Sequence, residues 1–177
     1  AIKRASALFE KKSPSPEQAL SRLKADPAGE GIADADIIIE AVAENLDIKH
    51  AVFKNVEAKA KPNAILATNT SSIMIEDIAT CLNNGDRLIG LHFFNPVPVM
   101  PLVEVIAGKQ SNAEFLKRAM YFSGRLGKMP VAVASTKGFL VNRALLPYLF
   151  KAIEICEAGT DADLIDQALL DFGMPMG

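Results

Sequence analysis

The sequence predicts an α/β protein whose mostly parallel sheet is followed by the start of a helical region. Two observations support this prediction. Short β-branched runs alternate with amphipathic segments as far as residue 134, and from residue 138 onwards the apolar residues follow helical spacing only. In alternating sequences each helix crosses over to the next strand, so that the strands run parallel. We expect one domain in residues 1–136 and the start of a second, all-helical domain in residues 137–177.

The first elements are helical. Residues 1–12 carry apolar side chains on one side, and Pro16 stands in the first turn of a short helix that is expected to end near Leu23. The loop that follows contains Gly29 and Gly31. A Gly-x-Gly pair occurs in dinucleotide-binding loops, but this one precedes a strand and no third glycine opens a helix, so we assign it no phosphate-binding role.

Three apolar runs are predicted to form the first strands. Residues 36–42 and 64–68 are typical of strands buried on both faces, and residues 87–92 form the third strand. Residues 45–60 have the periodicity of the helix between the first two strands. Ser72 is expected to cap the helix that follows the second strand, because serine side chains accept hydrogen bonds from the first amides of a helix.

The second half of the chain continues the alternation and then becomes entirely helical. A helix apolar on most faces is expected to open at Gly138, to be kinked by Pro147 and to be buried in a bundle or an interface. The other predicted elements are a strand at 102–106, a helix at 112–127, a strand at 129–134 and a helix at 161–172.

Composition limits the classes of function. The net charge of −2 and the pI near 5.7 argue against a nucleic-acid-binding or anionic-membrane surface. Cys81 and Cys156 are too few for a zinc site or a disulfide framework and fit a reducing compartment. The sequence has no apolar stretch long enough to span a bilayer. We therefore predict a soluble, cytoplasmic protein without a metal site.

A histidine and a carboxylate are predicted to lie on neighbouring strands. His92 ends the strand at 87–92, a proline-containing turn follows, and Glu104 lies within the next apolar strand. Such a pair suits proton transfer, since a carboxylate on one imidazole nitrogen fixes the tautomer of the other. The alternative is a structural histidine bonded to the backbone and a glutamate that faces solvent. Spacing alone leaves both interpretations open.

Other polar residues follow the ends of the predicted strands. Glu44, the turn at residues 69–72 and His92 each come directly after a strand, and ligands gather at the carboxyl ends of parallel strands. Asn142 lies in the apolar first turns of the long helix and therefore needs a polar partner, which could be backbone. The clustering favours a functional site at this edge of the sheet.

Six short motifs follow one another along essentially the whole chain. They are Glu40-Ala-Val-Ala-Glu-Asn-Leu-Asp-Ile-Lys49, Thr68-Asn-Thr-Ser-Ser72, Gly90-Leu-His-Phe-Phe-Asn-Pro96, Met100-Pro-Leu-Val-Glu-Val105, Gly138-Phe-Leu-Val-Asn-Arg143 and Met174-Pro-Met-Gly177. In this order they make the sequence resemble the 3-hydroxyacyl-CoA dehydrogenase family. The form Met-Pro-Leu-Val-Glu at residues 100–104 is more similar to the multifunctional β-oxidation subunits than to the short stand-alone enzymes.

The resemblance implies an activity and roles for single residues. The reaction would be NAD-dependent oxidation of (3S)-hydroxyacyl-CoA to 3-ketoacyl-CoA in fatty-acid β-oxidation. His92 matches the family's catalytic base and Glu104 the carboxylate paired with it. Ser71 and Asn142 match residues that hold the reacting group of the substrate. The positions on the cofactor side are Glu44, Lys49, Asn69 and Asn95, although Lys49 could also be a solvated helix residue and Asn95 a cap of its turn.

The resemblance also implies a fold and partners. It predicts a partial Rossmann-type domain, an acyl-CoA substrate, and either a homo-oligomer or contact with a hydratase domain or a thiolase subunit. The family's first strand, glycine loop and helix have no counterpart in the 177 residues, and Lys137 replaces a usual proline. We therefore expect the chain to be a fragment and to bind NAD weakly by itself.

Two alternatives to this activity stay open at the level of the sequence. The first is a non-catalytic fragment that serves as an assembly or structural module, which the missing glycine loop favours. The second is a hydroxyacid dehydrogenase of related architecture. Such enzymes typically use a lysine base, and the pairing of His92 with Glu104 speaks against that alternative.

Overall fold

The computed structural model describes residues 2–12 and 14–174 and shows an α/β fold built on a five-stranded sheet. The strands are β1 (Ile37–Glu40), β2 (Ile65–Thr68), β3 (Leu88–Phe93), β4 (Leu102–Ala107) and β5 (Met129–Ala134). The helices are α1 (Ile2–Lys12), α2 (Pro16–Ser21), α3 (Leu46–Lys59), α4 (Ile75–Ala79), α5 (Ala113–Arg125), α6 (Val141–Glu157) and α7 (Ala162–Phe172), with 3-10 turns at Glu30–Asp34 and Gly85–Arg87.

The order of the strands in the sheet follows their order in the chain, β1-β2-β3-β4-β5. Three of the four pairings are parallel, and only β3 and β4 are antiparallel. The antiparallel pair arises because the turn between β3 and β4 is too short for a crossover helix. The predicted mostly parallel sheet is confirmed, and the carboxyl ends of β1, β2 and β3 meet at one edge of it.

Helices cover both faces of the sheet. On one face α3 and α4 pack on the sheet through Phe53, Ile75 and Ile78, together with Phe139 from the segment before α6. On the other face α5 packs through Ala119 against β3 and β4. The side chains of His92 and Glu104 alternate with the residues that face α5, so both lie on the face covered by α3 and α4.

Side-chain caps fix the starts of several helices. The Asn45 side chain accepts a hydrogen bond from the amide of Ile48 at the start of α3, and Asn112 does the same for Glu114 at the start of α5. Asp161 caps α7 in the same way. Each cap satisfies an amide that has no partner inside its helix. No helix in the described part of the chain is both long and apolar enough to cross a membrane.

Three details of the sequence prediction are wrong. The strand β1 is not buried on both faces, because it pairs with β2 alone at the edge of the described sheet, and Ile39 is 39% exposed. Ser72 does not cap α4, which begins at Ile75 after Met74, and the amide of Ile75 donates to the hydroxyl of Ser135 instead. The helix α6 begins at Val141 rather than Gly138.

The burial predicted for α6 is also absent from the described structure, in which none of the helix's residues is buried. Apolar side chains of α6 such as Phe150 and Ile153 are 58% and 52% exposed. The helix packs on α7 and is joined to the sheet by its first turn. That first turn contributes directly to the site described next.

Candidate active site

His92 lies between a carboxylate and a hydroxyl. Its Nδ1 is 2.6 Å from Oε2 of Glu104, and its Nε2 is 3.1 Å from Oγ of Ser71. The imidazole is 5% exposed, and the rings of Phe94 and Phe139 lie 4.7 and 5.7 Å from it. Because Oε2 of Glu104 accepts a hydrogen bond from Nδ1–H, Nε2 is left to accept a hydrogen bond from a hydroxyl group.

Glu104 is fully buried and has no free acceptor position toward solvent. Its Oε2 faces His92, whereas its Oε1 accepts hydrogen bonds of 2.8 Å from the amides of Leu140 and Val141 at the start of α6. Amides at a helix N-terminus carry partial positive charge and stabilise an anion. The side chain of Glu104 is therefore held in one orientation by the start of the helix and by the imidazole together.

A strained residue leads the chain into α6. Phe139 has a φ of 48°, in the left-handed region that bulky side chains rarely adopt, and it follows Gly138 with a φ of 78°. The side chain of Phe139 is nevertheless 1% exposed and packs against the ring of His92. This local conformation turns the next two amides toward Glu104.

Ser71 belongs to a turn at residues 69–72 that is hydrogen-bonded to the side chain of Glu44. Oε1 of Glu44 accepts hydrogen bonds from the amides of Ser71 and Ser72 at 2.9 and 3.0 Å, and also from the hydroxyls of Thr70 and Ser72. Partial burial by itself would raise the pKa of Glu44, but these four hydrogen bonds outweigh it and lower the pKa to about 2. Glu44 is therefore an anion at neutral pH.

Lys49 is buried beneath this turn. Its side chain is 1% exposed, and its Nζ lies 2.9 Å from Oε1 of Glu40 and 3.3 Å from Oε2 of Glu44. The alternative of a solvated helix residue is therefore wrong. A direct contact between Lys49 and a cofactor stays a prediction, and the contacts in the structure are those of a cation that neutralises two carboxylates.

The three predicted asparagines lie around His92. The side-chain oxygen of Asn69 accepts a hydrogen bond of 3.0 Å from the amide of Phe93, and Asn95 is exposed in the turn after β3. Nδ2 of Asn142 lies 3.5 Å from the carbonyl oxygen of Ser71. The polar partner that this side chain is expected to need is therefore a backbone group. The structure thus brings all eight predicted residues to the carboxyl end of β1, β2 and β3, and their functional roles stay predictions.

The turn between β3 and β4 is fixed by a lysine outside it. Nζ of Lys128 donates hydrogen bonds to the carbonyl oxygens of Val97 and Met100. The cation thereby closes the proline-containing turn from the side of β5. This contact is not visible in the sequence, because Lys128 is far from the turn along the chain.

Sequence reasoning missed several contributors to the site. Glu40 and Thr68 lie beneath the serine turn, and the amides of Leu140 and Val141 hold Glu104. Glu40 left a signal, since a carboxylate that ends an apolar strand needs a partner for the same reason as Glu104. Backbone amides leave no such signal.

Two family models match the chain, and both belong to an oxidoreductase family. The model for the NAD binding domain of 3-hydroxyacyl-CoA dehydrogenase matches residues 1–136, and the model for the C-terminal domain of the same enzyme matches residues 138–177. The chain belongs to the 3-hydroxyacyl-CoA dehydrogenase family. The resemblance inferred from the motifs is confirmed, and NAD is the cofactor of this family.

Curated relatives are much longer than this chain. The fatty acid oxidation complex subunit alpha of Psychrobacter sp. (strain PRwf-1) is 44% identical over 173 residues, which are 96% of this chain and 24% of that protein. A probable 3-hydroxyacyl-CoA dehydrogenase of Caenorhabditis elegans is 45% identical over 162 residues, 89% of this chain and 54% of that protein.

Solved structures share the same fold. The 3-hydroxybutyryl-CoA dehydrogenase of Escherichia coli K12 superimposes with a TM-score of 0.91 at 39% identity, over 99% of this chain and 38% of that one. FadB2 of M. tuberculosis gives the same TM-score at 35% identity, over 99% of this chain and 63% of that one. The predicted α/β fold is therefore shared with 3-hydroxyacyl-CoA dehydrogenases.

Proposed function

We propose that the complete protein oxidises (3S)-hydroxyacyl-CoA to 3-ketoacyl-CoA with NAD+, using the site centred on His92. The observation that supports this proposal is the position of the imidazole, with Nδ1 on Glu104 at 2.6 Å and Nε2 on Ser71 at 3.1 Å. A proton acceptor and a hydroxyl donor thus converge on one point at the carboxyl edge of the sheet. This arrangement fits removal of a proton from a secondary alcohol.

In this mechanism Nε2 of His92 accepts the proton of the substrate's 3-hydroxyl group as the C3–O bond becomes a carbonyl. Oε2 of Glu104 stabilises the imidazolium that forms and keeps Nδ1 protonated throughout. Ser71 donates a hydrogen bond from its hydroxyl to the reacting oxygen. Asn142 of α6, whose Nδ2 is 3.5 Å from the carbonyl oxygen of Ser71, would help to hold that oxygen. The side chains of Phe94 and Phe139 exclude water from the imidazole.

The residues present fit the nicotinamide end of NAD. Glu44 keeps 38% of its side chain exposed beside the serine turn, and Asn95 is exposed in the turn after His92. We propose that Glu44, Asn69 and Asn95 hold the ribose and nicotinamide, with Lys49 fixing Glu44. When bound there, NAD+ would accept the hydride from C3 of the substrate.

The test is an assay of the complete protein with NAD+ and a (3S)-hydroxyacyl-CoA, followed through the absorbance of NADH. The (3R) enantiomer is the matched control, because it would direct its C3 hydrogen away from the cofactor. We expect NADH to form with the (3S) substrate only. Absence of NADH formation by a folded protein that binds acyl-CoA would overturn the proposal and favour a non-catalytic assembly module.

The relatives also support proposals about partners and location. Several are named as subunits of a fatty acid oxidation complex, and we propose that this protein works in such a complex, in contact with a hydratase domain or a thiolase subunit, or as a homo-oligomer. Cys81 and Cys156 are both free thiols in the structure. Free thiols fit a reducing compartment, and the cytoplasm is the location that we propose.

A further inference from the structure

Glu40 occupies the centre of a buried polar cluster beneath the serine turn. Its side chain is 1% exposed, and all its acceptor positions are filled. Oε1 accepts hydrogen bonds from Nζ of Lys49 at 2.9 Å and from the amide of Val42 at 2.6 Å. Oε2 accepts from Lys49 at 3.0 Å and from the hydroxyl of Thr68 at 2.7 Å. A buried carboxylate with four hydrogen bonds is fixed in one conformation.

Two routes connect this carboxylate to the turn that carries Ser71. In the first, Lys49 bridges Glu40 to Oε2 of Glu44, whose other oxygen accepts the amides of Ser71 and Ser72. In the second, the Thr68 hydroxyl donates to Glu40 and accepts the amide of Thr70 at 3.3 Å. Both routes end within one residue of Ser71, and its hydroxyl is 3.1 Å from His92.

We infer that Glu40 is a positioning residue for the oxidation. It fixes the position of the Ser71 hydroxyl by two routes. One route runs through Lys49 and Glu44, and the other runs through Thr68. This inference rests on the proposed function. Glu40 acts on the reacting oxygen only through these intermediate residues and does not touch substrate or cofactor. Its removal should therefore lower kcat through Ser71, whereas any effect that reaches the cofactor through Lys49 and Glu44 should appear in the KM for NAD+.

The physical reason is the balance of charge under the turn. Lys49 is 1% exposed and neutralises two carboxylates, so its position is decided by their competition for one ammonium group. In the Glu40→Gln variant a neutral amide replaces one of these carboxylates. Lys49 then moves toward Glu44, and the hydrogen bonds of Glu44 to the turn weaken. A displacement of about 1 Å at a catalytic hydroxyl can reduce turnover by roughly 10²-fold.

A double-mutant cycle on the complete protein tests the inference. Glu40→Gln should lower kcat roughly 10-fold in the wild-type background and less than about twofold in a Ser71→Ala background, with a smaller change in the KM for acyl-CoA. A merely structural loss would reduce kcat by the same factor in both backgrounds. Equal factors, or an unchanged kcat in folded Glu40→Gln, would overturn the inference.

Glu57→Gln is the matched control. Glu57 lies on α3 like Lys49, its side chain is 7% exposed, and it accepts the amides of Asn83 and Asn84 near Arg87, away from the site. We expect this variant to be destabilised without loss of kcat. If Glu40→Gln does not fold, Thr68→Val removes the second route alone and should lower kcat about threefold in the wild-type background and not in the Ser71→Ala background.

Amide hydrogen exchange separates this inference from the proposed function. In Glu40→Gln the amides of Ser71 and Ser72 should exchange roughly 10-fold faster than in the wild type, while Glu57→Gln leaves them unchanged. This result would support the positioning of the Ser71 turn by Glu40 even if no dehydrogenase activity is found. Unchanged exchange at both amides would overturn the inference, whereas absence of NADH formation by the wild type would overturn only the proposed function.

Discussion

Glu104 lies directly opposite His92 in the antiparallel pair of β3 and β4, and its two oxygens serve different parts of the protein. One oxygen is 2.6 Å from the imidazole, and the other accepts the amides of Leu140 and Val141 at the start of α6. The carboxylate thus joins the proposed base on the sheet to the helix that carries Asn142. Orientation of the imidazole and attachment of α6 depend on the same side chain.

His92→Gln should reduce turnover of the complete protein by roughly 10²–10⁴-fold, because a positioned general base contributes about this much. The affinity for acyl-CoA should change much less, since in the proposed mechanism His92 contacts only the reacting group and its side chain is just 6% exposed. Steady-state kinetics with NAD+ and the (3S) substrate provide the measurement.

The other histidine of the chain is a control for His92→Gln. Nε2 of His50 is 2.9 Å from the carbonyl oxygen of Asp77, on the helical layer and away from Glu104. His50→Gln should leave turnover unchanged. Near-normal turnover in His92→Gln would mean that the base is misassigned.

Glu104→Gln should lower turnover by roughly 10²-fold or more, as happens when the partner of a catalytic histidine can no longer hold the tautomer. A glutamine has one acceptor oxygen and one NH2 group, so it cannot accept from His92 and from α6 at the same time. The NH2 group must face either Nδ1 or the amides of Leu140 and Val141.

The second readout for this variant is hydrogen exchange at the start of α6. We expect faster exchange of the Leu140 and Val141 amides than in the wild type, together with a lower Tm. Turnover reduced with unchanged exchange would show that the glutamine oxygen stays on α6 and that only the imidazole is affected. Unchanged turnover would contradict the role of Glu104.

The free energy of unfolding should depend on pH through Glu44. The folded state lowers the pKa of this carboxyl from 4.5 to about 2, so the folded state favours the deprotonated form. The stabilisation is fully present above about pH 4.5 and is lost as the pH falls toward about 2. Urea unfolding of the wild type and of Glu44→Gln should give a difference in stability that shrinks over this window. A difference independent of pH would contradict the assignment.

Gly90→Ala should destabilise the protein by about 1–3 kcal/mol through overpacking between β3, β4 and α4. A Cβ atom at Gly90 would lie 2.8 Å from Cβ of Ile106 and 2.9 Å from Cδ1 of Ile75. Gly124→Ala in α5 is the control, because nothing lies within 4 Å of its added Cβ and alanine favours a helix. Urea unfolding should show a loss for the first variant and no loss for the second.

The pattern of the sequence predicted the sheet and the edge where the site lies, because both depend on local signals. Strands such as residues 65–68 are short β-branched or apolar runs, and the rule that parallel strands end together places Glu44, Ser71 and His92 at one edge. The prolines between His92 and Glu104 predicted the turn, but not the antiparallel direction of the two strands. These inferences need no knowledge of the distances between elements.

The missing parts depend on contacts between distant segments. The hydrogen bonds from Leu140 and Val141 to Glu104 span 36 and 37 residues and involve backbone amides, which nearly every residue has. Ser72 is of a residue type that favours helix caps, but the amide of Ile75 at the start of α4 donates to the hydroxyl of Ser135, 60 residues away. The preference of a residue type for helix caps reflects local sequence only. It therefore could not reveal a hydrogen-bond partner that is distant along the chain.

The cross-strand pairing of His92 with Glu104 has a consequence for the length of the turn between β3 and β4 in this family. Residues that face each other across a ladder stay together whatever the length of the turn that joins their strands. Insertions between Pro96 and Pro101 are therefore compatible with an intact pairing of His92 with Glu104. Deletion of a single residue inside β3 or β4 is different, because it turns one of the two side chains to the α5 face. We expect natural variation in length to be confined to the turn.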